Sequence, residues 1–572
     1  MKKILLSFLL LTLFFSLSAQ TGNETLGSGA GASITSGDYN VMIGDSAGYN
    51  VSTGGYGVYL GYRAGFSFDN DWDNTIIGAY AATNSTTGTD NVIIGKYAGY
   101  NNSSTDATFV GTQAGYNNTT GADNTFIGEE AGYNNTTGRD NTFIGEDAGY
   151  NNVDGDDNTF IGSAAGRSNV NGSKNTAVGN EALWDVGNTG TTFPFGSANT
   201  AVGDSAGTDV GQGYYNTFIG QSAGAATEHA DFNTFVGAKS GWDNNRNNDA
   251  SNANRNTYLG FKTGYSNRAG EDNVGMGAFA DFNNTNRSRT TFIGADIDIR
   301  GNDLIAIGYS ADNNGQYSVA IGNEIDVDAS SSSVIIGYKS KATNASNNSV
   351  AIGALDTITG ANSIVIGYNA KVSGTNSIAI GNQASVSADN EVYIGNASTS
   401  SIGGVVNWTA ASDGRFKSGI TENVPGLDFI DLLRPVTYHF DTKEMFRFYR
   451  VKPGENMESS VQEKDKQVYS GFVAQEVAEA ASVLNYNFSG VKIPLDPEKE
   501  MYGLRYAEFV VPLVKATQEL HKKIKDQEHI IASQQNEIKD YKETLLNLSQ
   551  RLEVLETNYQ MEKSTAGITA KQ

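Results

Sequence analysis

DNTFIGEEAGYNNTTGR, at residues 123–139, is followed at once by DNTFIGEDAGYNNVDGD at residues 140–156 and by DNTFIGSAAG at residues 157–166. Each unit joins a short apolar run of β-favouring residues to small residues and to a turn rich in Asn and Asp. An apolar run of this length cannot bury its side chains alone, so neighbouring units must stack against one another. The pattern therefore predicts a mainly β fold, a β-solenoid or β-roll with one coil per unit.

A glycine closes each apolar run, and the spacing of these glycines divides the repeats into two classes. The step is 17 residues, once 16, in the first class, and 14 to 16 residues, mostly 14, in the second. The first class includes Gly44, Gly61, Gly78, Gly95, Gly111, Gly128, Gly145, Gly162 and Gly179, and the second Gly294, Gly308, Gly322, Gly337, Gly353, Gly367, Gly381 and Gly395. We assign the first class to residues 20–294 and the second to residues 295–400.

Composition indicates that two different kinds of protein are joined in one chain. The 572 residues include 67 Gly, 7 Pro and no Cys, and the formal net charge is -24. Of the Lys and Arg residues, 16 lie between residues 21 and 401 and 21 lie in the last 171 residues. The acidic balance argues against a nucleic-acid partner, since nucleic-acid binding needs a basic surface.

Residues 1–19 have the features of a secretory signal peptide. Two lysines precede a largely apolar stretch, and a small residue, Ala19, stands where cleavage is expected. The sequence therefore predicts a protein that is secreted or displayed on the outer cell surface. No later stretch is apolar enough to form a transmembrane helix.

The histidines give no sign of a metal centre. The four of them are scattered along the chain, at His229, His439, His521 and His529, without the spacing of metal ligands. We predict no metal and no other cofactor.

The later repeats, such as GTNSIAIGNQASVSADNEVYIGN at residues 374–396, resemble the head repeats of YadA-like trimeric adhesins (Hep/Hag repeats). The resemblance covers residues 295–400, and the 17-residue units look like a longer, Tyr-bearing variant of the same coil. It implies a left-handed parallel β-roll, a homotrimer of three chains packed side by side, and a host, cell-surface or glycan ligand.

The tyrosines of the repeated AGYN motif allow two interpretations. They could form a ladder on which sugars stack, or they could fill coil corners or the interface between chains, which we favour. These residues are Tyr49, Tyr100, Tyr116, Tyr133 and Tyr150. The Asn and Asp residues of the turns are predicted to be solvated and not to bind calcium, because the nonapeptide of calcium-binding rolls does not recur.

After residue 400 the periodicity stops, and four separate motifs follow in order. They are Ser412, Asp413, Arg415 and Lys417; LRPVTY at residues 433–438; GFVAQEV at residues 471–477; and Tyr506 followed by KATQEL at residues 515–520. Together they resemble the endosialidase-type intramolecular chaperone domain at the C-termini of phage tailspikes and fibres. We assign that small α+β domain to residues 412–512 and a connector to residues 401–411.

This resemblance implies a chaperone that trimerises the β-structured stalk and then cuts itself off. Ser412 would be the nucleophile, Lys417 its base, and Ala411–Ser412 the bond that is cut. A Lys amine can act as a base if burial or a nearby cation lowers its pKa. Arg415 is either that cation or an ion-pair partner of Asp413. Without the other motifs, a Ser and a Lys in a polar loop would carry no functional meaning.

Three polar residues near the other motifs are given structural roles. We expect Gln475, Glu476 and His439 to make contacts that hold the fold and not to act in catalysis.

Residues 513–560 carry apolar side chains at alternating spacings of three and four, which predicts a coiled coil. One row runs through Ile524, Ile531 and Ile538, and the other includes Leu520 and Leu548. Residues 561–572 are predicted to be a disordered tail.

Three functions fit the sequence. The first is an exported trimeric fibre or adhesin whose C-terminal domain assembles it and leaves by self-cleavage, with no external substrate. The second is an adhesin whose chaperone domain stays joined. The third, an enzyme acting on polysaccharides, needs paired carboxylates on the β scaffold, and the repeats supply no such constellation.

Overall fold

A computed structural model describes residues 21–187, 195–246, 252–283, 286–406, 408–449, 458–498 and 500–568. The predicted signal peptide lies outside these residues. The chain divides into two compact units, residues 1–395 and residues 396–572.

The first unit is a β-solenoid, as the repeats predict. Its strands, in chain order, are β1 (Glu24–Leu26), β2 (Val41–Ile43), β3 (Val58–Leu60), β4 (Thr75–Ile77), β5 (Val92–Ile94), β6 (Thr108–Val110), β7 (Thr125–Ile127), β8 (Thr142–Ile144), β9 (Thr159–Ile161), β10 (Thr176–Val178), β11 (Asp185–Val186), β12 (Thr200–Val202), β13 (Asp209–Gly211), β14 (Thr217–Ile219), β15 (Thr234–Val236), β16 (Thr257–Leu259), β17 (Val274–Met276), β18 (Thr291–Ile293), β19 (Ile305–Ile307), β20 (Asp312–Asn313), β21 (Val319–Asn323), β22 (Asp326–Val327), β23 (Val334–Tyr338), β24 (Lys341–Ala342), β25 (Val350–Ala354), β26 (Thr357–Ile358), β27 (Ile364–Tyr368), β28 (Lys371–Val372), β29 (Ile378–Ile380), β30 (Ser385–Val386) and β31 (Val392–Ile394).

The apolar runs of both repeat classes form one continuous parallel sheet of 23 strands. Strand β18, from the longer coils, pairs with β19, from the shorter ones, so the sheet does not break where the repeat length changes. The shorter coils add a second parallel sheet of six strands, β20, β22, β24, β26, β28 and β30.

Equivalent residues of successive coils stack in register and build the core. Phe126 pairs with Phe143, and Phe143 with Phe160. Their buried rings stack with centroids 4.8 Å and 4.9 Å apart. A repeat that places the same residue at the same position thus fills the core with a continuous column.

The glycine after each strand is required by two features of the coil. Gly128 has a φ of +145°, in the region that favours glycine. A Cβ there would also overlap the carbonyl group of Gly145 in the next coil. This close approach explains why the same residue type recurs at one position in every coil.

Some of the asparagines predicted to be solvated are in fact buried, which corrects that expectation. Asn124 and Asn141 are fully buried. The Asn124 amide donates to Gly138 O at 2.7 Å, and its oxygen accepts from Asn141 N at 3.0 Å. These side chains satisfy backbone groups between coils, because the turn leaves polar groups inside the solenoid that must be paired. The neighbouring Asp123 is exposed, as expected.

The second unit contains short helices, two small antiparallel sheets and one long helix. Its elements are a 3₁₀ turn (Gly414–Phe416), α1 (Leu427–Ile430), β32 (Val436–Tyr438), α2 (Thr442–Phe448), α3 (Glu458–Lys466), β33 (Tyr469–Gly471), α4 (Ala474–Val483), β34 (Val491–Lys492), β35 (Gly503–Leu504), a 3₁₀ turn (Tyr506–Phe509) and α5 (Val510–Ile568). Its core contains Phe429, Val477, Phe488 and Phe509.

Helix α5 includes the residues with heptad spacing and continues to Ile568, so it extends into the predicted tail. Its apolar side chains at heptad positions are about half exposed, for example Leu520 at 47% and Ile524 at 51%. The single chain therefore leaves both rows uncovered.

Candidate functional site

Ser412 and Lys417 lie side by side at the start of the second unit. Lys417 Nζ is 2.7 Å from Ser412 Oγ. The 3₁₀ turn Gly414–Phe416 between them reverses the chain and brings two residues five positions apart into contact. The Asp413 side chain stabilises this turn by accepting from Arg415 N at 2.9 Å.

Arg415 is directed at Asp413 and not at Lys417. Its Nε and Nη2 atoms lie 2.9 Å and 2.6 Å from the same carboxylate oxygen of Asp413. The guanidinium group lowers the pKa of this carboxyl group below its ordinary value. Of the two roles considered for Arg415, the geometry matches the ion-pair partner.

The surroundings of the Ser–Lys pair are open. Residues 408–423 are exposed throughout, including both members of the pair. A lysine must lose its solvation, or meet another cation, before its pKa falls far enough for it to act as a base. In the single chain Lys417 is exposed, and the Arg415 side chain contacts Asp413.

The other sequence motifs meet in one small domain. Strands β32 and β33 pair, joining the motif at residues 433–438 to the one at residues 471–477. Arg434 Nε donates to Glu476 Oε2 at 3.1 Å. The hydroxyl of Tyr506 accepts from Phe472 N at 3.2 Å. Glu476 therefore makes a fold contact, while His439 and Gln475 are exposed.

Lys464 is a residue that sequence reasoning missed. Its side chain is buried, and Nζ donates to Ala397 O at 2.6 Å and Thr399 O at 2.9 Å. It thereby fixes the segment that precedes the exposed connector. Burial lowers its pKa from the ordinary value. The surrounding EKDK run has the composition of a solvated surface, so this contact could not be predicted from the sequence.

The rings of the tyrosine row in the solenoid stack on one another, so that each ring covers the face of its neighbour. Tyr100, Tyr116 and Tyr133 stack on one another with centroids 5.0 Å apart, and Tyr133 stacks on Tyr150 at 5.1 Å. The guanidinium group of Arg167 lies 5.1 Å from the Tyr150 ring. Sugars cannot stack on faces that neighbouring rings already cover, so this interpretation of the row is not supported.

The outer face of the 23-stranded sheet carries a row of apolar side chains along the solenoid, flanked in most of the longer coils by a Thr. In the three-residue strands β2 to β10 the middle residue is buried and the third is partly or largely exposed, as in β7, where Ile127 is 37% exposed. In the shorter coils Ile352 and Ile366 occupy this position. The six-stranded sheet instead carries exposed charged residues such as Lys341 and Lys371. One face of the solenoid is thus suited to contact protein and the other to contact water.

The described residues contain no candidate metal site and no candidate membrane-spanning helix. No group of three His, Asp or Glu residues there is placed to hold a metal ion. No helix in that part of the chain has a segment that is both long and apolar enough to cross a bilayer.

Comparison with known families matches two segments of the chain, which lie within residues 305–384 and at residues 412–485. Residues 305–324, 333–355 and 359–384 match the YadA head domain repeat, and residues 412–485 match the family named Chaperone of endosialidase. The order of the two resemblances is thereby confirmed. YadA head repeats suggest a trimeric, surface-exposed, adhesin-like protein, and the second family is a self-cleaving chaperone domain that suggests trimer assembly. Comparison with curated proteins found no match.

Proposed function

We propose that this chain is an exported fibre or adhesin subunit whose C-terminal domain assembles three chains and is then released by self-cleavage between Ala411 and Ser412. One observation carries the proposal. The match to the self-cleaving chaperone family begins at residue 412, and that residue is the serine whose hydroxyl lies 2.7 Å from a lysine amine.

The chemistry follows from this contact. Ser412 Oγ attacks the carbonyl carbon of Ala411 while neutral Lys417 Nζ takes the hydroxyl proton. The tetrahedral intermediate collapses, the C–N bond to Ser412 breaks, and the departing nitrogen receives the proton from Lys417. The resulting ester between Ala411 and Ser412 Oγ is hydrolysed by water. The products are a carboxylate at Ala411 and a free amino terminus at Ser412.

Assembly would bury the Ser412–Lys417 pair, which is exposed in the single chain. Both members of the pair are exposed in one chain, and a neighbouring chain that covers them would lower the pKa of the lysine by desolvation. Cleavage would then follow trimer formation and not precede it. This order would leave the assembled stalk kinetically trapped after its chaperone has gone.

Two uncovered apolar surfaces support the trimer. The first surface, in the solenoid, is the outer face of the 23-stranded sheet, where Ile352 is 40% exposed and Ile366 is 37% exposed. In the second unit it is the two heptad rows of α5, which three helices would bury in a coiled coil. Parallel β-pairing between chains is slow and prone to aggregation, so an early coiled coil would help by raising the local concentration of strands.

Export rests on the sequence of residues 1–19, and the left-handed winding rests on the resemblance of the shorter coils. Both belong to the proposal. The proposal also includes attachment to a surface ligand, which would make the fibre an adhesin.

The test compares the chain without residues 1–19 with Ser412→Ala and Lys417→Met variants by denaturing intact-mass analysis. The exposed Lys466 supplies a matched control, Lys466→Met. We expect the wild type and the control to give a fragment that starts at Ser412, and both dyad variants to stay whole. A wild type that remains uncut while trimeric would refute cleavage and leave the permanently joined adhesin.

A further inference from the structure

An open groove of about 440 Å³ runs beside the tyrosine row of the longer coils. Asparagines line it, one from each of four successive coils, at Asn101, Asn117, Asn134 and Asn151. Each follows the tyrosine of its coil directly in sequence, and Asn134 stands seven residues after the end of strand β7, beyond a turn. The groove is therefore separate from the apolar outer face of the sheet.

The asparagine side chains form a hydrogen-bonded ladder. Asn101 Nδ2 donates to Asn117 Oδ1 at 3.3 Å, and Asn117 Nδ2 donates to Asn134 Oδ1 at 3.1 Å. Asn134 Nδ2 donates to Asn151 Oδ1 at 3.1 Å. A primary amide has two N–H donors and two acceptor lone pairs. The ladder uses one donor and one acceptor at each inner rung, which fixes the amide and leaves one of each for a ligand.

The rest of the lining is uncharged. Thr119 and Thr136 donate their hydroxyl protons to the backbone of the following coil, at 2.8 Å and 3.0 Å, and so present oxygen lone pairs. Val153 and Val170 add an apolar patch at one end. Fixed polar groups beside a small apolar surface are typical of sites that orient a ligand.

We propose that this groove binds a linear, neutral glycan that lies along the solenoid axis. Hydroxyl groups both donate and accept, which matches the spare donor and acceptor on each inner amide. The rungs repeat with the coils, and the adjacent rings are 5.0 Å apart, roughly the advance of one hexose unit in an extended chain. This inference names the ligand class for the adhesive role proposed above and rests on that role.

Two other ligand classes fit less well. The residues that line the groove include no Lys or Arg, so an anionic polymer would meet no cation among them. An extended peptide can bind by adding a strand to an open sheet edge. The groove lies across successive coils whose strands are already paired on both sides.

The test measures binding of the full-length Ser412→Ala chain to linear hexasaccharides and disaccharides of β-1,4-glucan, β-1,4-mannan, chitin and α-1,4-glucan. Hyaluronan and polygalacturonate hexasaccharides serve as anionic comparators. We expect at least one neutral hexasaccharide to bind at least about tenfold more tightly than its disaccharide, because more rungs are engaged. Preference for an anionic chain, or no binding of any neutral hexasaccharide, would overturn the proposal.

Variants of the asparagine ladder test whether the glycan binds there. Asn117→Ala with Asn134→Ala should weaken the best hexasaccharide at least about tenfold, since two rungs are lost. If the alanine variant does not fold, serine at the same two positions tests the same rungs. The solenoid itself has a serine at this place, because Ser168 occupies the position of Asn151 in the next coil. The control is Asn376→Ala, which breaks the exposed Asn376–Asn390 hydrogen bond of 2.8 Å outside the groove. Unchanged binding in the folded ladder variant refutes the site.

Oligomeric mass and cleavage are measured on matching preparations that retain Ser412. Loss of glycan binding with normal trimers and normal cleavage would count against the groove alone. Absence of trimers would count against the proposed function.

Discussion

Asp356 gives the solenoid a pH dependence that one substitution should remove. It stands three residues after the closing glycine of its coil and is fully buried. The same position in the other shorter coils holds apolar or small residues, namely Ala311, Ile325, Ser340, Ala370 and Ala384. Burial raises the pKa of the Asp356 carboxyl group from 3.8 to about 6, although it accepts from Ala370 N at 2.8 Å.

The sign of the effect follows from linkage. Because the folded pKa lies above the unfolded one, the folded state binds the proton more strongly, and stability falls as the pH rises. The stabilising contribution of protonation is complete below pH 3.8 and is lost as the pH rises through about 6. The shift corresponds to about 3 kcal/mol per chain. As the pH rises from about 4 to about 8, about 2 kcal/mol of this stabilising contribution is lost.

The perturbation is Asp356→Ser, which copies the neighbouring coil. There Ser340 Oγ accepts from Asp356 N at 3.3 Å, so a serine at position 356 can accept from Ala370 N. Urea unfolding of the full chain, followed by circular dichroism, should show a wild type that loses about 2 kcal/mol more than the variant between the two pH values. Asp328→Ser, at an exposed aspartate, is the control and should not change the slope. Equal pH dependence in wild type and Asp356→Ser would refute the argument.

Three further changes test packing, assembly and the segment that precedes the connector. Phe143→Ala removes one ring from the core column and should lower the free energy of unfolding by about 3–5 kcal/mol in urea; a loss below about 1 kcal/mol would show that the column is not close-packed. Ile366→Asp places a carboxylate on the outer face of the 23-stranded sheet and should weaken trimer formation at least about a hundredfold in sedimentation experiments. The control Lys371→Asp, on the six-stranded sheet, should leave trimer formation unchanged. Equal effects of the two variants would exclude the outer face of the 23-stranded sheet as the interface. Lys464→Met should speed amide exchange of residues 396–399, measured by mass spectrometry, while Lys466→Met should not; unchanged protection would show that the two carbonyl contacts do not hold the segment.

The solenoid could be predicted from the sequence because its cause is local and repeated. The same glycine closes every coil, and Phe126, Phe143 and Phe160 occupy the same place in it, so spacing alone indicates the stack. The Ser412–Lys417 contact was also expected, although from resemblance and not from periodicity. Its geometry depends on a turn of three residues that the sequence places between them.

The features that escaped prediction depend on where a polar group ends up after packing. Asn124 and the exposed Asp123 are neighbours in one turn motif, yet only the asparagine is turned inward to satisfy backbone groups between coils. Lys464 looks like a solvated charge until the segment at Ala397 folds over it. The half-buried asparagine ladder was missed for the same reason, because its lateral hydrogen bonds form only when coils stack.

The central claim is that the C-terminal domain assembles the stalk and then leaves it. Native mass spectrometry over the time course of refolding tests it most directly, with the wild type beside Ser412→Ala. We predict that full-length trimers appear first and are followed by trimers of a chain that ends at Ala411, with the fragment from Ser412 onward detected separately. The variant should stop at the full-length trimer. Cut chains that appear as monomers before any trimer forms would contradict the account.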